Sequence, residues 1–387
     1  MAARCSLLFL TFVLALSGCD SDPAGTEPTL DAGDAGEPPD AADAGAVPDA
    51  APPSRDTGPD VPERTCPPPA TPLAFRRDDA VAHPLDDVLR LNHLQAEATH
   101  NSYHLEPTED AGEWAYSHAP LDEQLERQGV RALELDVHLD EECERFEVFH
   151  IGLLDERTTC RVLSDCLALV RGFSQRHPGH HPLFVQIELK DPASVVDEAY
   201  FVALENEILS VFDRSWIVTP DEVRGDAATV SDAIVANGWP TLAATRGRIL
   251  FYLDDDGASR QLYTHGGRDL DGRLMFVDSD AGAPYAGVLV LNDPVGEADA
   301  IAAALAAGYV VRTRADSSPV DVRAGRTALA EALASGAQIV STDFPDPVAG
   351  LDYSVAIPGG TPSRCSPVTA PSECTSAAIE DPALLAP

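Results

Sequence analysis

Ala132-Leu133-Glu134-Leu135-Asp136-Val137-His138 reads as a β-strand with two unlike faces. The period of two puts Glu134, Asp136 and His138 on one side and Leu133, Leu135 and Val137 on the other. Two carboxylates side by side on a buried face repel each other and are costly to desolvate unless a cation joins them. A second stretch, Val185-Gln186-Ile187-Glu188-Leu189-Lys190, has the same pattern, with Gln186, Glu188 and Lys190 sharing a face. Lys190 is the only lysine of the chain.

Outward from these two segments, β-rich apolar runs alternate with helical ones. Strands are expected at 94–99, 130–138, 146–150, 183–189, 249–253, 274–277, 309–314 and 338–342, with 287–291 as a ninth candidate. Helical patterns fill 121–128, 162–174, 197–212, 297–307 and 327–335, several closed by a glycine such as Gly129, Gly308 or Gly336. Repeated strand-then-helix order predicts an α/β fold with a parallel sheet, and about eight strands over this length predict its closure as a TIM-type (β/α)8 barrel. The barrel should be irregular near its second and third strands, where no helix intervenes. Its core spans about residues 90–345.

The polar residues cluster at strand ends, which converge on the C-terminal mouth of such a barrel. The first strand runs into Thr99-His100-Asn101-Ser102-Tyr103, and the third ends at Phe149-His150. Asn101, Glu134, Asp136 and Glu188 form an all-oxygen set with three negative charges, suited to Ca2+ ahead of Mg2+ and not to zinc. Two histidines and a lysine beside a hard cation supply what phosphodiester cleavage needs: a base, an acid for the leaving alkoxide, and positive charge for the phosphoryl oxygens.

At this point the sequence resembles a family: the bacterial secreted branch of calcium-dependent phosphatidylinositol-specific phospholipases C, in the phospholipase C-like phosphodiesterase superfamily. The resemblance is carried by residues 99–103, 134–138, 149–150 and 187–190, and by Val311-Arg312-Thr313-Arg314-Ala315-Asp316 and Ser341-Thr342-Asp343. It implies a barrel, His100 and His150 as the catalytic pair, Asn101, Glu134, Asp136 and Glu188 as Ca2+ ligands, and Lys190 and Arg314 as phosphate-binding residues. The implied reaction cleaves phosphatidylinositol to diacylglycerol and an inositol phosphate by way of a cyclic phosphate. His150 is then the general acid, and His100, Glu134 or Glu188 the base. Glycerophosphodiester phosphodiesterases share the barrel, the histidines and an acidic metal set, so a deacylated diester remains an alternative substrate. A catalytically inactive, calcium-binding surface lipoprotein is the other. Asn101 directly after His100, followed by Ser-Tyr, favours the phospholipase branch.

The ends of the chain bear on location. Arg4, the apolar run 7–16 and Leu16-Ser17-Gly18-Cys19 read as a lipoprotein-type signal peptide with a lipobox over residues 1–19. Cys19 would carry a lipid anchor, making the protein an exported, membrane-attached lipoprotein. Residues 20–65 are Asp, Ala, Gly, Pro and Glu, with 12 acidic and two basic residues, a composition that stays disordered as an acidic stalk. Residues 66–387 form the phosphodiesterase domain. The net charge of −38 excludes nucleic acid as a partner class, and no protein partner is evident. The six cysteines left after Cys5 and Cys19 suit three disulfides, Cys365 with Cys374 first and Cys143 with Cys160 or Cys166 next. His177, His180 and His181 read as a solvated loop, Asp254-Asp255-Asp256 as an acidic turn ending a strand, and Trp114, Tyr116 and Trp239 as loop residues that either contribute to membrane insertion or pack on the rim.

Overall fold

The computed structural model describes Cys66 and residues 82–108, 111–348 and 350–385. The signal peptide and stalk expected at 1–19 and 20–65 lie outside the described residues. The strands are β1 (Leu94–Thr99), β2 (Ala132–Asp140), β3 (Arg145–Val148), β4 (Leu183–Leu189), β5 (Ile249–Asp254), β6 (Phe276–Val277), β7 (Val288–Val290), β8 (Val310–Arg314), β9 (Ile339–Thr342) and β10 (Arg364–Cys365). Eight of them run parallel in the order β6-β5-β4-β2-β1-β9-β8-β7. A parallel bridge between Asp278 and Val288 joins the two ends, so the barrel is nearly closed.

The irregularity falls at the place expected. β3 takes no place in the barrel; it pairs antiparallel with the far half of β2, from Val137 opposite Val148 to Asp140 opposite Arg145. The eighth barrel position belongs to β7, at the ninth candidate site in the sequence. β10, from the C-terminal tail, pairs antiparallel with β1.

Two apolar layers follow from the alternation. Leu94, Ala96, Ala98, Phe184, Leu250, Phe276, Val310 and Ile339 fill the barrel interior below the mouth. Leu133, Leu135, Val137, Val185, Ile187, Phe251 and Leu253 point outward, onto helices Leu163–Arg176 and Glu198–Val211. Helices end where the glycines allow: Gly129 (φ 79) and Gly336 (φ 83) adopt the left-handed conformation that closes a helix at least steric cost.

The end opposite the mouth is sealed by charge as well as by side chains. The Arg131 guanidinium pairs with Glu380, and both are buried. His181 N–H donates to Glu380 Oε2 at 3.0 Å, and His181 Nε2 lies 2.7 Å from Ser363 Oγ. His180 and His181 are therefore wholly buried, hydrogen-bonded residues, not the solvated loop expected from their Pro-Gly turn. Trp239 is likewise buried, and its indole N–H donates to Gly308 O at 3.0 Å.

The disulfides are Cys66–Cys143, Cys160–Cys166 and Cys365–Cys374. The last agrees with expectation, whereas the pairing of Cys143 with Cys160 or Cys166 is corrected. Cys143 lies in the turn of the β2–β3 hairpin and closes a loop of sequence separation 77, a partner that short spacing does not suggest. Paired cysteines of this number fit an oxidising compartment outside the cytoplasm.

Candidate functional site

The β2–β4–β5 register places Asp136 beside Glu188 and Glu188 beside Asp254, so three inward carboxylates share one row at the mouth. Glu134 stands one step deeper, opposite Gln186. Oxygens of Glu134, Asp136 and Glu188 lie within 4.8 Å of one another. Glu134 and Asp136 are buried, and Glu188 is partly open to the mouth.

Asn101 closes the set from the neighbouring strand. Just past β1, its backbone takes φ 44, a left-handed conformation that asparagine tolerates better than most residues. The turn is held onto β2, because Ser102 N–H donates to Glu134 O at 3.0 Å and Glu134 N–H donates to Ser102 Oγ at 2.8 Å. The Asn101 amide nitrogen donates to Tyr116 Oη at 3.2 Å, while its buried Oδ1 has no hydrogen-bond partner. A buried, unsatisfied carbonyl oxygen on the turn hydrogen-bonded to Glu134 of the carboxylate cluster is a ligand atom that a hard cation satisfies.

The chain's own cations already engage these carboxylates. Arg312, buried on β8, reaches Glu134 Oε2 at 2.5 Å through Nη2 and holds Asn292 Oδ1 through Nη1. Lys190 Nζ lies 2.9 Å from Asp136 Oδ2 and also pairs with Glu188. Burial pushes Asp136 well above its ordinary value and the Glu188 charge adds to this, with Lys190 acting against both. For Lys190 itself burial pulls downward, but the Asp136 and Glu188 charges outweigh it and raise the ammonium above its usual range. Asp254 is pushed up to about 7 by burial, against the pull of Arg312.

Each histidine has its own carboxylate. His100 Nδ1 lies 2.7 Å from Asp343 Oδ1, and His150 Nδ1 lies 2.9 Å from Asp155 Oδ2. Both contacts assign the proton to Nδ1 and leave Nε2 free, that of His100 standing 3.9 Å from Glu134 Oε1. Arg314 Nη2 lies 3.4 Å from Asp343 Oδ2 and 3.3 Å from His100 Nδ1. Burial holds His100 well below the usual histidine range and Arg314 reinforces this, with Glu134 opposing. Burial also lowers His150, and there the hydrogen bond it donates to Asp155 works the other way.

The structure thus brings together all eight residues singled out in the sequence: His100, His150, Asn101, Glu134, Asp136, Glu188, Lys190 and Arg314. It adds four groups. Asp155, wholly buried, also lies 2.8 Å from His104 Nε2, and its place in an irregular loop left no periodic signal. Arg312 belongs to a quoted motif, but only the barrel closure shows that it reaches Glu134. Tyr116, expected in a loop, is buried with its hydroxyl on Asn101. Asp343, just past the end of β9 in another quoted motif, is buried against His100. His138 turns aside: its ring stacks on Phe149 at 3.7 Å and its Nε2 lies 3.0 Å from Phe149 O. A separate groove between the β2–β3 hairpin and helix Glu198–Val211 holds none of these residues.

A family model described as phosphoinositide phospholipase C, Ca2+-dependent, matches residues 89–147 and 143–367. No curated protein sequence matches the chain. Among solved structures, the calcium-dependent phosphoinositol-specific phospholipase C of a Gram-negative bacterium, Pseudomonas sp., is similar at a TM-score of 0.53 and 17% identity, over 70% of this chain and 96% of that one. The Ca2+-dependent phosphatidylinositol-specific phospholipase C of Streptomyces antibioticus is similar at 0.52 and 17%, over 67% and 96%. At such identities the likeness to solved structures is one of fold.

Proposed function

The chain belongs to the Ca2+-dependent phosphoinositide phospholipase C family, and we propose that it cleaves phosphatidylinositol to diacylglycerol and an inositol phosphate. The observation that supports this reading best is the pairing of the carboxylate cluster and orphaned Asn101 Oδ1 with two histidines, each held at Nδ1 by a buried carboxylate. Asn101, Glu134, Asp136 and Glu188 would hold Ca2+. When bound, it lowers the pKa of the attacking hydroxyl and offsets charge on the phosphoryl oxygens.

The residues of the chain do the rest. The inositol 2-hydroxyl attacks phosphorus, and its proton passes to the His100–Glu134 pair. The bond from phosphorus to the diacylglycerol oxygen breaks as His150, in its doubly protonated form with Nδ1–H held by Asp155, gives its Nε2 proton to that oxygen. Lys190 and Arg314 bind the phosphoryl group. Hydrolysis of the cyclic phosphate reverses the proton transfers, with water in place of the alcohol.

31P NMR tests this directly, with phosphatidylinositol vesicles and, separately, glycerophosphoinositol, each in Ca2+ and then in excess chelator. Inositol phosphate, cyclic or open, should appear from the vesicles and vanish with chelation. Turnover of the deacylated diester alone would move the protein to the glycerophosphodiesterase alternative, and silence on both with Ca2+ still bound would leave only a binding protein.

In the same reading, residues 66–387 are the catalytic domain, 20–65 the linker, and 1–19 the signal that leaves Cys19 lipidated. The mature N-terminal peptide is then expected to begin at Cys19 and to carry acyl mass; an unmodified peptide would remove the anchor.

A further inference from the structure

We propose that Lys190 is the resident counter-ion of the carboxylate cluster. Its ammonium has to let go of Asp136 and Glu188 before they can ligate a divalent cation, and only then is it free to hold an anion at the mouth. This rests on the phospholipase reading above, which supplies both the cation and the phosphoryl group.

Two of the chain's cations meet three carboxylates here, and they are held in opposite ways. Arg312 is 3% exposed and has anchors besides Glu134: its Nη1 donates to Asn292 Oδ1, and its Nη2 lies 3.2 Å from Ser341 Oγ. Its planar head is a fixture of the barrel. Lys190 has no such second anchor. Its Nζ lies 2.9 Å from Asp136 Oδ2 and also pairs with Glu188 Oε1, and these are its only side-chain partners among the described residues. Its side chain is 21% exposed, whereas that of Asp136 is wholly buried. The backbone is pinned, because Lys190 N–H donates to Val137 O at 3.1 Å. What can move is the flexible stem, with the ammonium at its end.

An ammonium and a hard cation compete for the same carboxylate lone pairs. Glu134, Asp136 and Glu188 bring oxygens within 4.8 Å of one another, and Lys190 spans two of these three residues. Two positive charges at hydrogen-bond range repel in a half-buried site, so the ion pairs and the ligation exclude each other. Desolvation decides which partner yields. The ammonium can return to water at the open mouth, but the buried Asp136 carboxylate has to keep a cation beside it. An order of binding follows. While clasped, the amine is neutralised and withheld from a phosphoryl oxygen; once released, it is an unpaired positive charge beside the ligand set.

Because Lys190 is the only lysine, the full chain made with lysine carrying 13C at Cε gives one resonance from that carbon, reporting on this amine alone. Adding Ca2+ should shift the resonance and narrow it as the stem is freed. Dimethyl phosphate, a diester monoanion, should then move it again in Ca2+ and leave it in place in chelator. A resonance that stays broad and unshifted while calorimetry shows Ca2+ bound overturns the release and leaves the proposed chemistry standing. An equal response to dimethyl phosphate with and without Ca2+ overturns the order. No Ca2+ binding by the wild type would remove the metal reading itself, and this inference with it. As a second measurement, Lys190→Met should bind Ca2+ at least about tenfold more tightly than wild type, since no ion pair has to be broken, and Lys190→Arg, which keeps the charge, should gain less than about threefold. Weaker or unaltered binding by Lys190→Met, or an equal gain in both variants, counts against a competing amine.

Discussion

Replacing His150 or His100 by alanine is expected to lower kcat by about 10³-fold, the scale of a lost general acid or base. Calcium binding, read by calorimetry, should survive both changes, because neither histidine belongs to the oxygen cluster. A fall of less than tenfold in either variant would remove that histidine from its role. The pair can be told from mere supports by pH. The Asp155 carboxylate raises His150 against the lowering effect of burial, so Asp155→Asn should let the imidazole fall further. An acid with a lower pKa loses its proton earlier as pH rises. The alkaline limb of the kcat profile should therefore move to lower pH in Asp155→Asn, with a further loss from the freed ring. A limb that stays in place would show that His150 is not the acid.

The largest expected effect on stability lies far from the chemistry. Glu380→Gln keeps the shape of a wholly buried side chain but strips the charge that balances Arg131, which is 3% exposed. Leaving a buried guanidinium uncompensated costs about 3–5 kcal/mol, because no water replaces the lost partner. In a domain of this size that lowers Tm by roughly 10 °C. Burial alone would raise the Glu380 carboxyl, but Arg131 and the buried histidines outweigh it and hold it at about 2. A depressed carboxyl contributes stability that is complete above its ordinary value of 4.5 and lost as pH falls toward 2. The Tm gap between wild type and variant should accordingly be widest above that value and narrow below it. A gap of under 2 °C at neutral pH would contradict this account.

Much of this was legible in the sequence because alternation is a strong local signal. Glu134, Asp136 and Glu188 announce themselves as charges where the strand period demands an inward face, and Asn101 and His100 as polar residues just past an apolar strand. Neighbouring strands in a parallel barrel bring such ends together, so the gathering of these carboxylates at one mouth followed from strand order. What stayed hidden depends on chain paths that have no period. Asp155 sits in a loop and acts by reaching back five residues to His150 and across to His104. Cys143 finds Cys66 across a long loop, while its nearer cysteines pair with each other. His180 and His181 carry a turn signature yet are buried, because the C-terminal tail brings Glu380 over them.

Lys190 has a use beyond its proposed contact with phosphate. It is the only side-chain amine in the protein, and it lies in the mouth, clasped by Asp136 and Glu188. An amine-directed acylating reagent thus has a single internal target, and a lysine-specific protease a single bond to cut. The clasp keeps the amine protonated and a poor nucleophile. Labelling there should be slow for as long as the two carboxylates hold it, and would quicken when anything draws them away. One residue then serves as a built-in reporter of the state of the site, read by mass spectrometry without altering the sequence.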